Sequence, residues 1–284
     1  MSERRLLACF AHPDDEAFPV AGALAFHSSR GVKIRLVTTT LGEEGEIRQP
    51  GLATPETLGI TRKIELAASV ETLGIQEHSV LGYRDSGMAG TPPNKHPDAY
   101  INVPDEIIVE QLVRHIREFR PQVILTFETG GLYGHPDHIA ISRHTTQAFT
   151  QAGDPSQFSH QLNNGLLNPH KPERLFYSAR PVGFRMEWAL KLQEAGIEIE
   201  LPTPDRASEG TPADEIHLEM DVSEQLDTKI ACIKCHQTQM APDWPYEKVP
   251  RALAASIIGR EYYIRACPKV EVSESIPNDF FHDL

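Results

Sequence analysis

Two short runs concentrate groups able to hold a metal ion and move a proton: Ala11-His12-Pro13-Asp14-Asp15-Glu16 and His135-Pro136-Asp137-His138. Each follows an apolar stretch and leads into a segment of helical periodicity. Strand ends of that kind converge in one crevice of an open α/β sheet. The two runs therefore predict one site with two or three imidazoles and two or three carboxylates. That donor set suits a zinc ion with an acid and a base beside it. Adjacent carboxylates point apart, so one of Asp14 and Asp15 can ligate while the other faces a bound water. His138 is expected as the first helical residue, within reach of the same metal. His135, three residues earlier, is expected to contact substrate, oriented by Asp137 through a ring N–H. Helix capping accounts for one aspartate of the first run. It does not account for the preceding histidine or for the second run.

The elements that must position these runs alternate. Arg5 to Ala11 reads as a buried strand, Asp14 to Ser29 as helix-like with Pro19 either in its first turn or marking a break, and Ile34 to Thr39 as a strand. Thr57 to Leu73 carries apolar residues at helical spacing with Gly74 as a stop, and His78 to Leu81 is a short strand. Asp105 to Phe119 is an amphipathic helix, Gln122 to Phe127 a strand and His138 to Ala152 a helix. This β-α-β-α order predicts an α/β fold with a mostly parallel sheet and helices on both faces. The long connections Leu41 to Pro55, Gly82 to Val103 and Glu128 to Tyr133 are expected on the edge that carries His12.

The second half is less regular. Arg174 to Ser178 and Ile216 to Met220 read as strands, Arg185 to Ala195 and Ser223 to Gln237 as helices, and Pro202 to Asp214 as an exposed loop. The acidic stretch after Pro268 has no assignable pattern. We read residues 1–284 as one domain, with a core over 1–152 and an irregular α+β part over 153–284 completing the site.

The 284 residues carry a formal charge of −13, which disfavours nucleic acid as a partner, because that affinity rests on Lys and Arg neutralising phosphates. No basic patch suggests an anionic membrane, and the apolar stretch around Val20 to Phe26 is far below the ~20 residues of a span. The opening Arg4 to Phe10 reads as a buried strand and not a signal core. Four cysteines form no disulfide framework in a chain of this length, so a cytoplasmic protein is the expectation. Cys232-Ile233-Lys234-Cys235-His236 has the spacing of a c-type haem site, but its place inside a helical pattern favours helix packing. No Gly-x-Gly-x-x-Gly follows the first strand, which speaks against a dinucleotide module.

The two runs resemble the LmbE-like/PIG-L family of zinc-dependent de-N-acetylases, whose signature is His-Pro-Asp-Asp-Glu after the first strand and His-Pro-Asp-His after a later one. Further matches are Leu41 to Glu46, Arg62 with Glu65, Gly82 to Met88, Gly131 to His135, and Lys229, Ala231, His236 and Gln239. The stretch Gly82 to Met88 is most similar to the mycothiol-pathway branch, which acts on N-acetylglucosaminyl-inositol. The resemblance implies a Rossmann-like core and hydrolysis of the N-acetyl group of an N-acetylglucosaminyl-type small molecule. It implies His12, Asp15 and His138 as metal ligands and Asp14 as general base. His135 would stabilise the oxyanion or protonate the amine, with Asp137 orienting it, and Tyr133 would swing toward the reacting carbonyl. Arg62, Asp85 and Glu43 would contact substrate. The implied metal is Zn2+, although this ligand set also accepts Fe2+ and other divalent ions. An amidase of a thiol conjugate and a catalytically silent carbohydrate-binding relative are the alternatives. The oligomeric state stays open.

Overall fold

The computed structural model describes residues 3–163, 165–245, 248–270 and 277–284. Five strands run parallel: β1 (Arg5–Phe10), β2 (Lys33–Thr40), β3 (Glu77–Tyr83), β4 (Val123–Phe127) and β5 (Arg174–Ala179). Two more, β6 (Leu218–Asp221) and β7 (Arg260–Cys267), extend the sheet in antiparallel fashion. The order is β3-β2-β1-β4-β5-β7-β6. Leu6 to Phe10 of β1 is fully buried, which is why this central strand reads as an unbroken apolar run and not as an alternating one.

The chain winds outward from β1 through α1 (Ala21–Ser29) and α2 (Leu58–Thr72), then returns through α3 (Asp105–Phe119) to β4. Right-handed crossovers put α1 and α2 on one face and α3 on the other. There α3 packs on α5 (Pro136–Gln151), preceded by the distorted turn α4 (Gly131–Gly134). The C-terminal part contributes α6 (Phe184–Glu194), α7 (Pro204–Ser208), α8 (Leu226–Cys235) and α9 (Arg251–Ile258). Helix α8 packs against both α1 and α2. Strand order reverses between β1 and β4, and a crevice forms at such a switch point, outside the carboxyl ends of the strands.

Several sequence expectations need correction. The helix expected from Asp14 starts only at Ala21, because residues 11–20 form a succession of turns and bends. The fifth helix begins at Pro136, two residues earlier than expected, so His138 is its third residue and His135 its N-cap. Helix α7 and a short 3-10 turn occupy the segment expected as loop, while α9 and β7 were not anticipated. Residues 271–276 of the acidic stretch lie outside the described residues. Among the described residues no helix is long and apolar enough to cross a membrane.

Candidate active site

The turn after β1 is organised by its own carboxylates. Asp15 Oδ2 accepts the N–H groups of Ala11 (3.1 Å) and His12 (2.7 Å), and Glu16 Oε2 accepts that of Asp14 (3.0 Å). Side chains that capture backbone donors in this way compete with helix formation. Asp14 is thereby held at φ 108°, a left-handed conformation that costs a non-glycine residue on the order of 1–3 kcal/mol. Its carboxylate borders the cavity, 3.3 Å from the Arg62 guanidinium.

The second run arrives from β4. Gly131 has φ 67°, and a Cβ there would lie 2.7 Å from the His138 Cβ, so only glycine lets the turn fold back onto the helix. The His138 ring stacks on Phe127, with centroids 4.2 Å apart. Three sequence-predicted groups now meet. His12 Nδ1 lies 3.1 Å from His138 Nε2, His138 Nε2 lies 3.3 Å from Asp15 Oδ1, and His12 Nδ1 lies 3.7 Å from Asp15 Oδ2. Ligand atoms around a tetrahedral zinc ion are separated by about 3.3 Å.

The remote nitrogens of both rings are engaged. His12 Nε2 lies 3.2 Å from Asp137 Oδ2 and 3.5 Å from Asp85 Oδ1, while His138 Nδ1 lies 3.2 Å from the Gly131 carbonyl oxygen. These acceptors assign the ring protons to the remote nitrogens, which leaves the facing lone pairs free for a cation. The donor set therefore fits a divalent metal ion. His135 borders the same space, its ring nitrogen within 4.8 Å of those of His12 and His138.

Asp137 does not orient His135 through a ring N–H. Its backbone N–H donates to His135 Nδ1 (3.2 Å), because His135 caps the helix that Asp137 belongs to. The Asp137 carboxylate turns instead to His12 and to the Ser86 N–H (3.0 Å). With Nδ1 accepting, the His135 proton sits on Nε2. Burial and the neighbouring His12 push His135 down to about 4, outweighing Asp137 and Asp85, so it is neutral near pH 7 and not the imidazolium expected from the adjacent aspartate. The Tyr133 hydroxyl lies 3.5 Å from His138 Nε2, at the mouth of the cavity.

The cavity has a volume of about 540 Å³. Arg62 and Asp85 line it, but each is also built into the frame. Arg62 donates to the Gly42 carbonyl (2.9 Å) and to the Pro13 carbonyl, clamping the turn after β1. Asp85 accepts the N–H groups of Gly87 (2.8 Å) and Glu44 (3.1 Å). Glu43, expected at the substrate, instead accepts the Asp85 N–H (3.2 Å); Glu44 and Glu46 line the cavity in its place.

Sequence reasoning assigned no role to the groups that brace this turn from below. Glu16 is fully buried; its Oε1 lies 2.6 Å from His236 Nε2 and accepts the Ser69 hydroxyl proton. Burial opposes the charge on both partners, yet their mutual attraction holds Glu16 below and His236 above their ordinary values. Glu65 accepts the N–H (2.8 Å) and hydroxyl (2.6 Å) of Thr238. The signal was present in the recurrence of Glu65 and His236 among the family matches, but their partners cannot be read from spacing. Cys232 is buried against Ser69 (3.0 Å), in keeping with helix packing.

Burial raises Asp14 against the pull of Arg62, His236 and His12, and raises Asp15 to about 8. His12 is drawn down by burial but pushed well above its ordinary value by Asp85, Asp137 and Asp15. The buried carboxylates thus draw positive charge onto His12, a place that a bound cation can take instead.

Residues 7–149 match the family model described as PIG-L, GlcNAc-PI de-N-acetylase. The 1D-myo-inositol 2-acetamido-2-deoxy-alpha-D-glucopyranoside deacetylase of Acidothermus cellulolyticus is 36% identical over 273 residues, covering 92% of this chain and 88% of that one. Among solved structures, the N,N'-diacetylchitobiose deacetylase of Pyrococcus horikoshii superposes with a TM-score of 0.65 at 17% identity, covering 99% of this chain and 89% of that one. The 4-carboxy-2-hydroxymuconate hydratase of Pseudomonas putida superposes with a TM-score of 0.61 at 17% identity, covering 94% and 98%. The last two show a shared fold alone.

Proposed function

The chain belongs to the PIG-L family, and from that premise we propose that it is a metal-dependent hydrolase removing the acetyl group from an N-acetylglucosaminyl-type small molecule. The observation that carries this reading is the triangle of His12, Asp15 and His138, with both remote ring nitrogens held by acceptors and the Asp14 carboxylate beside it.

In this reading His12 Nδ1, Asp15 and His138 Nε2 hold the metal, with Zn2+ the first candidate and Fe2+ the second. When bound, such an ion polarises the amide carbonyl and brings the pKa of a coordinated water to ~7. Asp14 takes the proton of the attacking water. Its φ of 108° fixes where that base stands. His135, neutral and capping its helix through Nδ1, donates Nε2–H to the oxygen as negative charge develops. No imidazolium is needed for this step. Asp14 then returns its proton to the departing nitrogen as the C–N bond breaks, leaving acetate and a free amine. Asp137 fixes the ring of His12, and Tyr133 closes the site near His138. Arg62 and Asp85 meet the sugar hydroxyls, and Glu43 holds Asp85 in place. The partner is a small molecule.

The test is acetate release from N-acetylglucosaminyl-inositol and from simple N-acetylglucosaminides, by chelator-stripped protein and by the same protein with one equivalent of Zn2+ or Fe2+. We expect release only with metal. Equal release from stripped and restored protein, or none from any N-acetylglucosaminide, would overturn the reading.

A further inference from the structure

A second cavity of about 610 Å³ opens beside the catalytic one. The two share lining at Phe18, Pro19, Leu132, Arg48, Arg180 and Arg185, so they adjoin and one molecule can extend from one into the other. The annex lies against the C-terminal part. Its apolar lining includes Phe184, Trp188, Ile197, Ile199, Trp244 and Tyr262, all half-buried. Phe184 and Trp188 stand one helical turn apart on α6, while Ala189 and Leu192 of that helix are buried.

Much of the charge around the annex is paired. Lys229 and Glu261 pair at 2.6 Å, and the Glu261 carboxylate also accepts the N–H groups of Gly22 and Ala23 and the Tyr263 hydroxyl. At the shared neck, Arg48 meets Glu46 at 3.2 Å and Arg185 meets Glu209 at 3.6 Å. What remains for recognition is aromatic and aliphatic surface in a concavity, the character of a ligand pocket.

We propose that the annex binds an apolar aglycone, making the preferred substrate an N-acetylglucosaminide of an aryl or alkyl group. This rests on the deacetylase reading above. The leaving acyl group is then an acetyl of two carbons, whereas 610 Å³ is room for a drug-sized molecule. The large arm of the substrate is therefore at the other end of the sugar. A polyol such as inositol would leave its hydroxyls facing Trp188, Ile197 and Ile199 without partners, a costly arrangement.

Two measurements test this. Acetate release from phenyl and hexyl N-acetylglucosaminides, from N-acetylglucosaminyl-inositol and from free N-acetylglucosamine gives the preference. The chain's two tryptophans both line the annex, so intrinsic tryptophan fluorescence reports on its occupancy. Hexyl glucoside, which has no amide, should change the emission saturably, and methyl glucoside should not. We expect kcat/KM for the phenyl and hexyl substrates to exceed that for the inositol glycoside by about tenfold or more, the scale set by a few methylenes in an apolar pocket. Trp188→Ala, and independently Ile199→Asp, should remove that preference while leaving turnover of free N-acetylglucosamine within twofold. Equal kcat/KM across aglycones with no response to hexyl glucoside would overturn the annex and leave the deacetylase reading intact. A saturable response without acetate release from any N-acetylglucosaminide would overturn the deacetylase reading and leave the annex as a binding site.

Discussion

The strands β1 to β4 with their turns and the C-terminal part from Arg174 onward carry different kinds of information. The first region concentrates its chemistry in contiguous runs at strand ends, where one turn fixes several functional groups at once. The second offers half-buried aromatic and aliphatic residues from α6, the loop after it, the segment near Trp244 and β7, none adjacent in sequence. The first region binds its polar side chains to its own backbone. The second provides surface. That a hydratase shares the architecture teaches the same lesson, since the sheet supplies a crevice and the residues in it decide the reaction.

The sharpest way to break this division is at the base. Asp14→Asn should lower kcat on the order of 10²–10⁴-fold while leaving metal content and aglycone preference unchanged. Turnover near that of the parent protein, on a verified substrate, would take Asp14 out of the mechanism. His135→Ala should lower kcat on the order of 10²–10³-fold with KM and bound metal retained, the usual effect of losing one oxyanion donor. Metal lost in His135→Ala but kept in His138→Ala would reverse the two histidines.

Asp137→Asn probes the residue whose partner differs from the sequence expectation. It should weaken metal affinity about 10–100-fold, measured by competition with a chelator, because it loosens His12. Unchanged affinity with reduced kcat would return Asp137 to His135.

The last effect is on stability and not on catalysis, and concerns a seam between the two regions. His27 of α1 is buried and stacks on Phe280, with centroids 4.9 Å apart. Burial drives it down to about 4. The unfolded chain takes up this proton near pH 6.5 and the folded chain only near 4, so folding stability falls as pH drops across that window. The loss amounts to roughly 3 kcal/mol at most. Urea unfolding at pH 7 and pH 4 should show it, and His27→Gln should flatten the dependence; an unchanged slope would exclude His27 as its source.

The legibility of the chain follows the same division. The parallel strands are legible from their apolar and β-branched residues, most plainly β1 and β4 and least β3, and the proposed metal-binding triad from two compact motifs. The helix expected over Asp14 to Ser29 holds from Ala21 on but misreads its start, because periodicity cannot show that Asp15 and Glu16 bind the turn's own N–H groups. The partner of Asp137 depended on where α5 starts, a shift of two residues that turns its carboxylate from His135 to His12. Strand β7 hid behind charge. Its Glu261 is buried, held by Lys229, Tyr263 and the first turn of α1, partners that are distant in sequence or defined only in the fold. The annex left no local pattern at all.

The brace from α8 and its end, His236 on Glu16 and Thr238 on Glu65, has a consequence for the order of synthesis. Every proposed metal ligand and the base are part of the chain once His138 has been made, but the group that neutralises Glu16 is added about a hundred residues later. At ordinary rates of translation that is an interval of roughly 5–20 s. During it the chain carries the complete set of proposed ligands on a turn that Arg62 and Ser69 can hold but His236 cannot yet. A chain stopped before α8 would thus have the motif and lack the enzyme.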